Sequence, residues 1–196
     1  MLSVVTLQFG ALPYFEDSTA INAAYCARHG IAWRVCGAVE LTDRHLVWSK
    51  VAIVAQALKT ADQVLFLDAD AVFVDHASPP ADLLALLGRK ALLFGLDAAG
   101  QANTGIVLAR RSEATTRILS DWWKVPTHDN RHAFRWPLEQ GALNRNIIGR
   151  HRDALALVPS SELTTIRHFA GSLLATKTRA ISRERAKLCP SLPTQS

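Results

Sequence analysis

Hydrophobic positions along this chain fall into short runs separated by polar, glycine and proline breaks. Leu2 to Leu7 is the first run and Ile31 to Cys36 the second. Val64 to Leu67 and Ala71 to Val74 flank two aspartates, and Ala91 to Gly95, Thr104 to Ala109, Ala154 to Val158 and Thr165 to Phe169 follow. Runs of this length, rich in β-branched and aromatic residues, predict strands buried on both faces. Helical spacing fills the gaps. Asp17 or Ser18 is expected to cap a helix to about Arg28, with Gly30 as its stop. His45 to about Lys59 reads as a helix, and Pro79-Pro80 opens another from Ala81 to Leu87, ended by Gly88. Ser112 is expected to cap a helix through Trp123, and Pro137 or Leu138 to open one reaching about Ile148, with a loop from Pro126 to Asn130 between them. Strands alternating with helices predict an α/β domain whose mostly parallel sheet is flanked by helices.

The stretch Leu65-Phe66-Leu67-Asp68-Ala69-Asp70 changes that picture most. It puts two carboxylates at the end of a core strand, where open α/β sheets place their ligand crevices. Acids in such a place call for compensation. A hard divalent cation supplies it, often keeping positions open for a substrate's phosphates. The plainer reading is a strand-end turn with two solvated acids.

Four other stretches bear candidate chemistry, and each has a plain alternative. Asn103-Thr104-Gly105 precedes a strand and allows backbone to approach a ligand, or is an ordinary turn. Glu139-Gln140 opens a helix, where an acid either caps or faces a sugar's hydroxyls. His168-Phe169-Ala170-Gly171 ends a strand with a possible imidazole ligand, or with a packed histidine. Lys50, in Trp48-Ser49-Lys50, and Lys177 are point charges that could meet a diphosphate, or solvated helix lysines. Trp122, Trp123 and Trp136 would suit either an acceptor-stacking wall or the core.

Composition adds bounds. The chain has 196 residues, 49% of them hydrophobic, enough for one domain with a real core. We read residues 1–178 as that domain and 179–196 as a basic C-terminal helix or tail. No apolar stretch is long enough to span a bilayer, and no basic leader precedes Leu2, so a cytoplasmic location is expected. Cys26, Cys36 and Cys189 have no metal-ligand spacing, and their odd number argues against a disulfide framework. The net charge of +5 is concentrated between Arg167 and Lys187, where Lys177, Arg179, Arg183 and Arg185 also lie and Glu184 is the one acid. Without interleaved aromatics that segment does not suggest nucleic acid. A solvated face or peripheral contact with an anionic membrane remains.

The order of these motifs resembles a known family. The chain looks like a GT-A fold, Rossmann-like nucleotide-sugar glycosyltransferase, similar to the retaining galactosyl/xylosyltransferases of fungal mannan and plant xyloglucan synthesis. Glycogenin-like retaining transferases are near neighbours. Asn22 to Gly30 resembles the family's Asn…Tyr-Ala…His-Gly helix, and Trp48-Ser49-Lys50 its Trp-x-Lys. Asp68-Ala69-Asp70, Asn103-Thr104-Gly105, Glu139-Gln140 with Ala142-Leu143, and His168-Phe169-Ala170-Gly171 match its later motifs. The resemblance implies that Asp68, Asp70 and His168 hold Mn²⁺ (or Mg²⁺), with Asp68 touching either the metal or the donor's ribose. It implies that Thr6, Leu7, Lys50, Gly105, Gly171 and Lys177 contact the nucleotide-diphosphate sugar, with UDP ahead of GDP. Asn103, Gln140 and Glu139 would face the donor sugar, a hexose or pentose passed with retention to a glycan or lipid-linked acceptor. The chain departs from the pattern where Ser172-Leu173-Leu174 replaces the family's terminal cysteines, and in lacking a stem or anchor. Two other readings stay open. A sugar-phosphate nucleotidyltransferase would want a basic, Gly-rich first loop, and Gln8 to Pro13 has one glycine and no Lys or Arg. A non-catalytic nucleotide- or carbohydrate-binding relative would keep the same ligands.

Overall fold

The computed structural model describes residues 1–38, 41–125 and 138–188. The expected loop from Pro126 to Asn130, Trp136, Cys189 and the segment after Pro190 lie outside them. The first strand, β1 (Leu2–Gln8), leads through α1 (Phe15–Arg28) to β2 (Ala32–Gly37). A short 3₁₀ turn, Leu46–Trp48, and α2 (Ser49–Ala57) lead to β3 (Gln63–Asp68) and β4 (Ala71–Phe73). Then come α3 (Ala81–Leu87), β5 (Leu92–Leu96), β6 (Ala102–Arg110) and α4 (Glu113–Trp123). The last part holds α5 (Leu138–Ala142), a π turn (Leu143–Ile147), α6 (Ile148–His151), β7 (Leu155–Pro159), β8 (Ile166–His168) and α7 (Leu174–Leu188).

Six strands form the main sheet in the order β2-β1-β3-β6-β5-β7. β1 pairs in parallel with β2 and β3, and β5 with β7, while β6 runs antiparallel to both of its neighbours. The expected mostly parallel sheet is therefore present, with one reversed central strand. Both faces are covered, as the continuous apolar runs require. Val64 and Phe66 enter one core layer with Val51, Val54 and Trp122, and Leu65 and Leu67 enter the opposite layer with Tyr25, Phe73 and Leu87. The alternation along β3 is thus apolar on both sides.

Helix boundaries differ from the sequence reading in three places. α1 begins at Phe15, so Asp17 and Ser18 lie inside its first turn and cap nothing across its N-terminus. An acid there complements the helix dipole, and Asp17 also takes hydrogen bonds from Ser182 and Arg185 of α7. The His45–Lys59 helix is shorter, with His45 Nδ1 accepting from the Val47 amide at its start. The single helix expected from 138 to 148 is broken by the π turn. α7 runs without interruption through position 178, with Ile181 fully buried against Tyr14, Ile21 and Val72. Among the described residues, no helix is long and apolar enough to cross a membrane.

β3 and β4 are consecutive but belong to different sheets. β4 leaves the main sheet and pairs antiparallel with β8, so that Ala71 faces His168. Asn22 of α1 pins this departure: its Nδ2 donates to the Ala71 carbonyl at 3.0 Å, and its Oδ1 accepts from the Phe73 amide at 3.1 Å. Asn22 is buried, so its loss strands two backbone groups without water. Asn22→Ala is expected to destabilise the fold by about 1–3 kcal/mol, read as a lower urea midpoint with an unchanged m-value.

Candidate active site

The carboxyl end of β3 delivers Asp68, and a two-residue turn brings Asp70 to the start of β4. Pairing of β4 with β8, extended by a Phe169 amide to Asp70 carbonyl bond of 3.0 Å, brings His168 beside both acids. His168 Nε2 lies 3.2 Å from Asp70 Oδ1 and 3.9 Å from Asp68 Oδ2. One ligating atom from each of the three residues falls within 4.8 Å of the others. Gly105 lies under the imidazole: a Cβ there would come within 2.0 Å of His168 Cε1. Its φ is not in the left-handed region. Gly105 is therefore required by close approach of the ring, and the conformational freedom expected from the sequence is not used. Two carboxylate oxygens and an imidazole nitrogen, in a cradle only glycine leaves open, are a donor set that Mn²⁺ or Mg²⁺ fits, the imidazole favouring the former.

Behind Asp68 sits a buried cation. Lys50, 4% exposed, places Nζ 3.0 Å from Asp68 Oδ1 and 2.9 Å from Glu139 Oε1. It also donates at 3.3 Å to the carbonyl and the hydroxyl of Thr104. The Thr104 hydroxyl in turn donates to Glu139 Oε1 at 3.0 Å. Burial alone would pull the Lys50 pKa down, but Asp68 and Glu139 outweigh it and hold the ammonium well above its ordinary range. Burial likewise favours protonated Asp70. The hydrogen bonds and charges of His168 and Lys177 reverse this and keep that carboxyl well below the usual carboxylate range. Lys177 Nζ reaches Asp70 Oδ2 from α7 and lies 5.6 Å from the centre of the Tyr14 ring. Burial, then Asp70 and Asp68, push the Tyr14 hydroxyl up to about 12, so it stays protonated.

These groups line one cavity of about 330 Å³, together with Leu7, Phe9, Leu12, Asn103, Gln140 and Gly171. The sequence-predicted residues are thus largely brought together. Thr6 is not among the lining residues, because its hydroxyl donates to the Leu67 carbonyl at 2.7 Å inside the sheet. Gly105 lies beneath His168 and does not line the cavity. Asn103 Oδ1 accepts from the Gly105 amide at 2.8 Å, which fixes its side chain beside the histidine. Gln140 Oε1 accepts from the Thr104 amide at 3.2 Å. Asn144, a turn further on, exchanges two hydrogen bonds with the backbone of Ala102 at 2.9 and 2.8 Å, locking the π turn after α5 onto β6. Leu138 enters this helix with φ of 51°, a costly conformation for a leucine, while the adjacent Glu139 carbonyl is held by Trp122 Nε1 at 2.9 Å.

Some participants escaped the sequence reading. Tyr14 belongs to no motif, whereas Phe9 ends the Thr6 to Phe9 stretch that the resemblance sets against the nucleoside, and it does line the cavity. Thr104 lay inside one, but its role depends on contacts with residues 50 and 139. A second cavity of about 440 Å³ adjoins the first and shares Asn103, His168 and Ala170 with it, and Asp97, Ser160 and Ser161 line it. Of the three tryptophans, Trp122 is core. Trp123 packs edge-on to Trp48, with the Arg44 guanidinium 4.4 Å from its centroid.

Two substitutions test this construction. Lys50→Met leaves Asp68 and Glu139 without their shared cation and is expected to cost about 3–5 kcal/mol in chemical denaturation. Gly105→Ala is expected to displace His168 and weaken Mn²⁺ binding about 10–100-fold, as titrated by the loss of the free-ion paramagnetic signal.

No family model and no curated protein matches the sequence. Solved structures do match in shape. A glycosyltransferase involved in the glycosylation of the major capsid of PBCV-1 superposes with a TM-score of 0.75 at 15% identity, over 93% of this chain and 98% of that one. The galactosyltransferase LgtC, solved with donor and acceptor sugar analogues, gives 0.61 at 13% identity, over 100% of this chain and 98% of that one. The glycosyltransferase GlyE of Streptococcus pneumoniae gives 0.58 at 14% identity, over 99% of this chain and 65% of that one. The chain has the GT-A fold that these glycosyltransferases share.

Proposed function

We propose that this chain is a metal-dependent glycosyltransferase that takes a sugar from a nucleotide diphosphate. The observation that carries the reading is the meeting of two cavities at Asn103, His168 and Ala170. The first has the Asp68, Asp70 and His168 cluster in its lining, and the second has Asp97, Ser160, Ser161 and Thr164 among largely apolar neighbours. Two substrates that exchange a group need such adjoining sites with a shared wall.

In this reading the diphosphate lies over Asp68, Asp70 and His168, with Lys177 beside it. A divalent cation held by those three residues would neutralise charge on the departing diphosphate. The nucleoside rests against Leu7, Phe9 and Tyr14 of the first cavity. The apolar character of that wall argues against the triphosphate cradle of a nucleotidyltransferase. The donor sugar meets Asn103, Gln140 and Glu139. Glu139 Oε1 is taken by Lys50 and Thr104, so the carboxylate is held in a fixed orientation. Gln140, an amide, would orient the sugar and stabilise developing positive charge at its anomeric carbon. Lys50 acts as a positioning residue, because its three donors are spent inside the protein.

The acceptor hydroxyl, from a glycan or a lipid-linked sugar, approaches through the second cavity past Asp97, Ser160 and Ser161. Retention of configuration, Mn²⁺ over Mg²⁺, and UDP over GDP are the finer parts of this proposal, and they rest on the motif resemblance. The cytoplasmic site of action expected from the sequence is part of the proposal too, independently of the resemblance. Peripheral contact with an anionic membrane would use Arg179 and Arg183, the exposed arginines of α7; Arg185 and Lys187 are paired with Asp17 and Glu184.

Calorimetry with UDP and GDP, each with and without Mn²⁺, tests the reading. One nucleotide is expected to bind only with the metal, and Asp70→Ala to abolish that binding while the protein stays folded by circular dichroism. Failure of both nucleotides in the wild type under all conditions would overturn the assignment.

A further inference from the structure

Both carboxylate oxygens of Asp70 have a partner. Its Oδ1 faces His168 at 3.2 Å and its Oδ2 holds the ammonium of Lys177. One of the three candidate ligands is therefore already paired with a cation of the protein's own, brought from a residue 107 positions further along the chain. Both partners are well shielded, the side chains of Lys177 and Asp70 being 14% and 12% exposed. A divalent ion seated on Asp68, Asp70 and His168 would stand within a few ångströms of that ammonium, and like charges so close and so poorly screened repel strongly.

The backbone that carries Lys177 is fastened. Ile181, one turn on, is fully buried among Tyr14, Ile21 and Val72. Arg185 and Ser182 bind Asp17 of α1, and Glu184 meets Arg167 of β8. What can move is the lysine's own four-carbon stem, and Lys177 lines the cavity where the diphosphate is proposed to lie. Its positive charge has two alternative anions within reach, Asp70 and a diphosphate, and a divalent ion competes for only the first.

We infer that Lys177 is a tethered competitor of the metal ion, which makes binding of the metal and of the diphosphate a coupled event. With no nucleotide, a bare metal ion must evict Lys177 from Asp70 and leave it without an anion. With the diphosphate present, the ammonium transfers to phosphate oxygens, and the carboxylate is released for the metal. By linkage, the nucleotide tightens the metal as much as the metal tightens the nucleotide. The device keeps the site from taking up divalent ions that arrive without a donor. The inference rests on the metal–diphosphate reading above, and adds to it that the protein opposes the metal until the donor comes.

Mn²⁺ titrations of the full chain, read by the free-ion paramagnetic signal with and without UDP, test it on the wild type, Lys177→Met and Lys177→Arg. Lys177→Met is expected to bind Mn²⁺ alone about tenfold more tightly than the wild type, and to lose about the same factor from the tightening that UDP confers. Lys177→Arg keeps the cation and is expected to bind bare Mn²⁺ as weakly as the wild type. Thermal melts followed by circular dichroism establish that the variants are folded. A Lys177→Met protein whose affinity for bare Mn²⁺ is unchanged or lower overturns the inference, while Mn²⁺-dependent UDP binding by the wild type would leave the proposed function standing. A wild type that binds neither Mn²⁺ nor UDP, alone or together, removes the proposed function as well.

Discussion

A lysine ammonium enclosed in the protein is the constraint on which the rest of the site depends. Lys50 is nearly inaccessible, yet it stays charged because Asp68 and Glu139 both lie within 3.0 Å of it. Removing such a charge from water is costly, and only good geometry with every donor satisfied compensates the loss. Satisfying it draws together four places in the chain: α2, the end of β3, the start of β6 and the start of α5. Four of the six motif stretches lie in these places. The buried ion pair therefore converts four separated stretches into one constellation. It also fixes Asp68 by one oxygen and leaves the other toward His168.

The second organising feature is the abrupt end of β3. A strand that continued in the main sheet would carry Asp70 past the carboxyl edge. The chain instead turns after Asp68 and starts a separate two-stranded ribbon with β8. This ribbon supplies His168 and is held from behind by Asn22. Tyr25 stacks on Phe73 with centroids 3.6 Å apart, so α1 braces the ribbon along its length. The helix that carries the Asn-x-x-Tyr pattern thus acts at a distance from any ligand, through the strand that seats Asp70. Its role is structural support, which is why its residues have no obvious chemistry of their own.

Much of this was legible. Strands buried on both faces announce themselves as unbroken apolar runs, and the acids at the end of one of them marked the crevice. The reversed direction of β6 was not read, although the chain contains the reason. Only five residues separate β5 from β6, too few for a crossover helix, so the pair must be antiparallel. A central strand is apolar on both faces whichever way it runs, so its pattern alone says nothing about direction. The break in the 138–151 helix was illegible for another reason. Its spacing is helical throughout, and the π turn comes from tertiary demands, with Asn144 bonded to β6 and Glu139 to Lys50. Gly105 shows the same limit. The sequence marks a glycine that matters, but that a histidine from 63 residues later rests on it appears only in three dimensions. Tyr14 and the second cavity left no trace in the motif order because contact, not spacing, defines them.

The shared wall between the two cavities then explains the choice of residues at it. Under the proposed function, Asn103, His168 and Ala170 would face both the donor and the acceptor, beside a glycine where a single added carbon would collide with the His168 ring. Asn103 is held at this wall by the hydrogen bond its Oδ1 accepts from the Gly105 amide. Rigid elements place this wall: β6 on one side, β8 on the other, with Lys50 and Thr104 bracing the first and Asn22 the ribbon of the second. Reacting groups brought together by such fixed walls need little further ordering, which is the part of catalysis that a scaffold alone can supply.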